Sequence, residues 1–386
     1  MKKVYMDYAA SSPTDPRVIE AMIPYYIEKY GNPSSIYSFA HEDKLAVEES
    51  RKKVAELIGA RDDEIIFTSG ATESINLALK GVAYRNKEKG NHIITSKIEH
   101  ISVLNTCKYL QREGFKVSYI PVDEYGTVDV EKLKEEISDK TILISIMYAN
   151  NEIGTIQPIR EIGEIASDKG IYFHVDSVSS LGKVPIDVVR ENIDLLSMSS
   201  NDIYGPKGKG ALYIKKGTKI VPILHGGGQE HGLRSGTEDV PGIVGMGKAA
   251  EIMKEEMEEE SKRLKKLRDM IIKGATESID HCYLNGHPTN RLPNNVNLRF
   301  NYIEGESLIL SLDMYGIYAS TGSACTSKTL EPSHVLIGIG LSHELAHGSL
   351  QLTLGKSNDE GDVKYFLEVL PEVVSKLREL SPLTPR

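Results

Sequence analysis

The residues of this chain that could do chemistry recur in one setting, a polar cluster placed just after a short apolar run. Ser69-Gly70-Ala71-Thr72-Glu73 follows Glu64 to Thr68, Glu99-His100 follows the run that starts at His92, and Asn150-Asn151-Glu152 follows Ile142 to Met147. Asp176 follows Val175, and Ser199-Ser200-Asn201-Asp202 follows Asp194 to Met198. In open α/β sheets ligands gather beyond the carboxyl ends of the strands. Small residues that open a helix offer free N–H groups and the positive end of the helix dipole, which suits a phosphate; the same residues also make an ordinary N-cap. An imidazole, an amide and a carboxylate added to that cradle suit a flat, phosphorylated heteroaromatic cofactor. Pyridoxal phosphate is the candidate, because a carboxylate keeps its pyridine nitrogen protonated and a stacked imidazole covers its ring.

Taken singly these residues are ordinary, and a metal pair of His174 with Asp176 on one strand face is a lesser alternative. Two further motifs carry chemistry. Cys325 lies in Gly322-Ser323-Ala324-Cys325-Thr326-Ser327, whose small polar flanks disfavour a buried inert thiol. His343-Glu344-Leu345-Ala346-His347 matches the H-E-x-x-H zinc signature, but Gly348 follows at once and no third ligand is evident.

Seven β-rich runs must position these groups: Glu64 to Thr68, His92 to Thr95, Lys116 to Ile120, Ile142 to Met147, Ile171 to Val175, Asp194 to Met198 and Ala211 to Ile214. Helical patterns fill most of the gaps, which predicts a largely parallel sheet between helices. Ahead of them, Asp15-Pro16 starts a helix with Val18, Ile19, Met22, Ile23, Tyr26 and Ile27 on one apolar face, and a second helix from Ala40 to Ile58 stops at Gly59. A long amphipathic helix from about Ile252 to Ala275 follows Gly242 and Gly245, and beyond it the texture turns α+β. Strands are expected near Asn295 to Phe300 and Leu350 to Thr353, with helices near Glu304 to Met314 and Asp359 to Arg378. The resulting division is a large cofactor-binding α/β domain over 16–255 and a small α+β domain from 1–15 and 256–386 that carries the Cys325 loop.

Composition narrows the function classes. The net charge is −9 with no basic block, so nucleic acid is not an expected partner. Three cysteines in 386 residues do not make a disulfide framework, the N-terminus turns polar too early for a signal peptide, and no apolar run reaches membrane-spanning length. A cytoplasmic protein without a membrane partner is expected.

The motifs Tyr5-Met6-Asp7-Tyr8-Ala9-Ala10, Gly31-Asn32-Pro33-Ser34, Thr68 to Ser74, Asn150-Asn151-Glu152-Ile153-Gly154, His174-Val175-Asp176, Tyr204-Gly205-Pro206-Lys207-Gly208, Arg234-Ser235-Gly236-Thr237 and Gly322 to Ser327 form a specific set. With them the chain resembles, nearly end to end, the cysteine desulfurases, pyridoxal phosphate enzymes that supply sulfur for iron–sulfur cluster assembly. The resemblance implies a homodimer of the fold type I, class V aminotransferase kind, with a mostly parallel seven-stranded sheet. Ala71, Thr72 and Ser199 would surround the phosphate and Thr237 would reach in from the partner subunit. His100 would stack on the ring, Asn151 would contact it, Asp176 would pair with its nitrogen, and Ser179 would stand where the family has a glutamine. Cys325 would take the substrate's sulfur as a persulfide.

The departures are as specific as the matches. Where the family's Ser-Gly-His-Lys turn carries the lysine that forms the Schiff base, this chain has Ser199-Ser200-Asn201-Asp202, and the arginine that grips the substrate carboxylate is replaced by Gln351. A carboxylate can neither form an imine nor relay a proton as an amine does, and it repels a nearby phosphate. Loss of the arginine removes a charge-assisted pair worth about 1.5–3 kcal/mol. Lys207 and Lys209 are close in sequence, but Pro206 fixes the turn and disfavours them as substitutes.

The expectation is therefore a desulfurase homologue in iron–sulfur cluster assembly whose own activity is absent or very weak. Its Cys325 would carry persulfide or ligate a 2Fe–2S cluster shared with a scaffold protein. The alternative is an active desulfurase, converting L-cysteine to L-alanine and an enzyme persulfide, with pyridoxal phosphate bound non-covalently or anchored elsewhere.

Overall fold

A computed structural model describes residues 2–321 and 332–382. The chain enters through β1 (Val4–Tyr5), α1 (Pro16–Met22), α2 (Pro24–Ile27) and α3 (His41–Leu57). Strands and helices then alternate: β2 (Ile65–Thr68), α4 (Ala71–Asn86), β3 (His92–Ser96), α5 (Ile101–Arg112), β4 (Lys116–Ile120), α6 (Val130–Glu136), β5 (Thr141–Met147), α7 (Ile159–Lys169), β6 (Tyr172–Asp176), β7 (Leu195–Ser199) and β8 (Gly210–Ile214). Most of these strands are buried along their whole length, as sheets covered by helices on both faces require. They form a seven-stranded sheet of order β2-β8-β7-β6-β5-β3-β4, in which β8 runs antiparallel to both neighbours and the other pairs are parallel. The expected α/β architecture is the one observed.

Beyond the sheet come α8 (Val240–Ser278), β9 (Cys282–Leu284), β10 (Asn295–Phe300), α9 (Gly305–Asp313), β11 (Ile317–Tyr318), α10 (His334–Gly338), α11 (His343–His347), β12 (Ser349–Thr353) and α12 (Glu360–Leu380). An antiparallel sheet of order β12-β10-β9 and the parallel pair β1-β11 belong to this part. One apolar core gathers residues between Tyr8 and Met253; a second gathers Val4, Met6 and residues from Leu264 to Val374. Helix α8 contributes to both, so the chain passes from one core to the other along a continuous helix rather than through a linker.

Two sequence expectations need correction. The helix expected through Ile27 is broken in two, because Pro24 has no N–H to continue the first segment and starts the second instead. Its apolar face is only partly covered: Val18 and Met22 are buried, whereas Ile23 is 48% and Ile27 69% exposed. The long helix begins at Val240, well ahead of Ile252, and takes in the glycines that were read as preceding it. Gly247 is there for closeness, since a Cβ on it would stand 2.6 Å from the Cβ of Ser50 on α3. Among the described residues no helix is long and apolar enough to cross a membrane.

Candidate functional site

Because β7, β6, β5 and β3 are adjacent and parallel, their carboxyl ends deliver the polar clusters to one edge of the sheet. After β3, His100 caps α5: its Nδ1 accepts the Ser102 N–H at 3.2 Å and lies 2.7 Å from the Ser102 hydroxyl. In the neutral ring that leaves the proton on Nε2. Beside it Glu99 is fully buried, its Oε1 accepting from the Ser96 hydroxyl at 2.6 Å and the Met147 N–H at 3.1 Å, while Oε2 has no hydrogen-bond partner among the described residues. Burial, with Asp176 nearby, pushes its carboxyl up to about 8.

After β5, Asn150 folds the loop around itself. Its side-chain oxygen accepts from Glu152 N–H and Ile153 N–H at 2.9 and 3.0 Å, and its amide donates to the Ile98 carbonyl. The neighbouring Asn151 is thereby presented to the site. Its carbonyl is gripped from the part of the chain beyond α8 by the Gln351 amide at 2.7 Å and by Asn295 at 3.1 Å. Glu152, pushed up to about 7 by burial, accepts a short hydrogen bond from the Ser333 hydroxyl, and His334 Nε2 lies 2.9 Å from the Glu99 carbonyl. The Asn150 loop and the His100 loop are thus both clamped to the start of α10.

Asp176, at the end of β6, is buried and accepts the Val178 N–H at 3.0 Å. Burial raises its carboxyl, and His100 opposes that rise. Ser199 ends β7, and a short turn over Asn201–Ile203 follows it. The side-chain oxygen of Asn201 turns to the N-terminal segment and accepts the Ser12 N–H at 3.3 Å. Asp202 instead lines a narrow slot with Asn151, Ser179 and Lys183. Burial raises the Asp202 carboxyl, with Lys183 and Ser199 pulling it down.

The start of α4 closes on the end of β7. A Cβ on Gly210 would lie 2.7 Å from both the Gly70 Cα and the Met198 carbonyl oxygen, so this approach requires glycine. Among the described residues nothing stands within 4 Å of where a Cβ on Gly70 would be, and the first N–H groups of α4, at Ala71 and Thr72, have no partner within their own helix. Glu73 accepts the Ser69 N–H and pairs with Arg234 at 2.9 Å, tying this helix start to the loop that carries the exposed Thr237. That loop is anchored by Glu230, which receives two hydrogen bonds from buried Arg51, at 2.8 and 2.9 Å, and one from the Phe67 N–H.

The fold thus brings His100, Asn151, Asp176, Ser179, Ser199 and Asp202 to one place, with Ala71 and Thr72 on the neighbouring helix start. Cys325, expected as nucleophile or metal ligand, lies outside the described residues. The alternative metal readings lose their support. His174 is neutral, held down to about 3 by burial, and bonds Ser145 and Ser197 through its two ring nitrogens. His343, Glu344 and His347 are exposed on α11, and among the described residues no group of three or more His, Cys, Asp or Glu side chains could hold a metal ion.

Sequence reasoning missed Lys183. It weighed Lys207 and Lys209, which are engaged elsewhere, Lys207 with the Ser12 carbonyl at 2.9 Å and Lys209 with Asp239 at 3.0 Å. The available signal was that Lys183 continues the polar segment that begins at Asp176.

A family model described as aminotransferase class-V matches residues 4–366. The chain is 59% identical over 385 residues to "Cysteine desulfurase IscS" of Methanosarcina thermophila, covering 100% of this chain and 95% of that one. It is 58% identical over 382 residues to "Cysteine desulfurase IscS 1" of Archaeoglobus fulgidus, covering 99% of this chain and 100% of that one. Among solved structures, a "NifS-like protein" superposes with a TM-score of 0.92 at 42% identity, over 97% of this chain and 100% of that one.

Proposed function

Because this chain belongs to the class-V aminotransferase family, we propose that it is a cysteine desulfurase of iron–sulfur cluster assembly, working with pyridoxal phosphate held by the strand-end cradle without a lysine at position 202. The observation that carries this is the convergence of the His100 imidazole and the buried Asp176 carboxylate, with the open N-terminal end of α4 closing on the end of β7. Those groups fit the cofactor in kind: a carboxylate for a pyridinium nitrogen, an imidazole for a ring face, and the first N–H groups of a helix for a phosphate. When bound, pyridoxal phosphate supplies the electron sink that amino-acid chemistry needs.

Within that reading each residue has a task. Ala71, Thr72 and Ser199 hold the phosphate, Asp176 holds the ring nitrogen, and His100 and Asn151 fix the ring plane. Ser179 contributes a hydroxyl at the slot. The Gln351 amide, bonded to the Asn151 carbonyl, steadies that loop and adds no charge to bind a substrate carboxylate. Cys325 receives the sulfur of L-cysteine as a persulfide and passes it to a scaffold protein. Thr237 completes the phosphate site of a second copy. A homodimer is supported by the exposed Tyr26, Ile27, Tyr30 and Ile36, a large apolar face for a soluble monomer to leave uncovered.

The test is sulfide release from L-cysteine by the purified protein supplied with pyridoxal phosphate. Release that disappears in Cys325→Ala supports the proposal; release no greater than that of Cys325→Ala, with cofactor bound, rejects it. The second outcome would favour another reading, which rests on the Asp202 carboxylate and the uncharged Gln351. In it the chain keeps the fold and the thiol, has lost most of its own turnover, and lends Cys325 to a 2Fe–2S cluster on the scaffold. Anaerobic co-purification with the scaffold would then give a coloured complex that bleaches in Cys325→Ala.

A further inference from the structure

The slot beside Asp202 contains an amine. Lys183 follows Gly182, whose φ of +69° turns the chain under the Asn201–Ile203 turn; a Cβ on Gly182 would meet Ile203 Cγ2 at 2.9 Å and Met253 Sδ at 3.1 Å. The backbone on the other side is pinned by the Ser261 hydroxyl of α8, which donates to the Lys183 carbonyl at 2.7 Å. The side chain then runs into the slot, where Nζ donates to the Asp202 carbonyl oxygen at 3.3 Å and shares the lining with Asn151, Ser179 and the Asp202 side chain. This is the turn in which the family carries its own lysine, approached from the preceding segment of chain.

We propose that Lys183 is the amine that anchors pyridoxal phosphate in this chain. The inference rests on the cofactor-dependent reading above and names the residue that reading leaves open. Two features favour Lys183 over the other lysines near the turn. Among the described residues its side chain bonds a backbone carbonyl, at a length that allows exchange, whereas Lys209 is buried in an ion pair with Asp239 and Lys207 is bonded to Ser12 away from the slot. Burial lowers its pKa, against the pull of Asp202, and so favours the neutral, nucleophilic amine.

The bond chemistry balances without an added oxidant or reductant. The nitrogen lone pair adds to the aldehyde carbon, the two amine protons leave with the aldehyde oxygen as one water, and a carbon–nitrogen double bond joins lysine to cofactor.

The experiment is a chemical map. The full-length protein is incubated with pyridoxal 5′-phosphate, gel-filtered to strip loosely held cofactor, reduced with borohydride, digested and sequenced by mass spectrometry. The expected result is a single pyridoxyl group per chain on the peptide that contains Lys183, lost in Lys183→Gln and in Lys183→Arg. A group on Lys207, Lys209 or another lysine overturns the inference, as does no covalent group on protein that retains cofactor through the column; in both cases the cofactor-dependent reading stands. Protein that retains no cofactor overturns both. Mapping the unmodified chain decides between these outcomes even where a variant fails to fold.

Discussion

Two acid–base pairs close to the seven-stranded sheet differ in how completely their charges are met. Arg51 and Glu230 face each other through two hydrogen bonds; the other Arg51 donors go to the Ile65 carbonyl and the Glu48 carboxylate, and Glu230 also accepts the Phe67 N–H. Nothing is left over, and the pair holds α3, β2 and the 225–239 loop together even though Glu230 and His231 sit at φ of +47° and +56°. Lys183 and Asp202 are partly buried; the amine bonds the Asp202 backbone oxygen rather than its carboxylate, and burial pushes both groups toward their neutral forms. Charges fully satisfied at low dielectric are structure. Charges incompletely satisfied there are open to another partner.

The contrast can be broken or sharpened by substitution. Glu230→Ala leaves the buried Arg51 guanidinium with only the half-exposed Glu48 as counter-charge and is expected to cost about 3 kcal/mol in urea unfolding; a loss under about 1 kcal/mol would mean that the closed pair does not hold its loop. Glu99 shares the incomplete satisfaction, with one carboxylate oxygen bonded and the other not, among the described residues. Its carboxyl is raised from an ordinary 4.5 to about 8, so over that window the folded chain binds more protons than the unfolded one. Stability should therefore fall as pH rises from about 4.5 to about 8, by up to roughly 1.4 kcal/mol per pH unit, and Glu99→Gln should flatten that part of the profile.

Asp202→Asn removes a charge that burial already disfavours, so its expected cost is below about 1 kcal/mol. A loss equal to that of Glu230→Ala would place the two pairs in one class. The exposed Arg160–Glu164 pair on α7, at 3.0 Å, is the reference for charges that water satisfies: Arg160→Ala should change unfolding by no more than about 0.5 kcal/mol.

The strands were legible because alternation of apolar runs with polar turns depends on local chemistry alone. Asn295–Phe300 falls where it was expected, and the strands of the large sheet fall within a residue or so of theirs. The break at Pro24 was also local and was overlooked, since the apolar spacing runs through it without interruption. The early start of α8 was not legible. Glycines in a helical pattern read as breaks, and only the packing of Gly247 against Ser50 shows that they are points of close approach.

By itself the sequence determined the order of the elements and the kind of group at each strand end, including the carboxylate at 202 and the amide at 351, because residue type and period are written along the chain. Only the tertiary structure decided what those groups face. Asn201 turns to Ser12, Gln351 grips the Asn151 loop, and Lys183, from another part of the chain, enters the slot beside Asp202. Such pairings depend on how distant segments pack, and no sequence period records them.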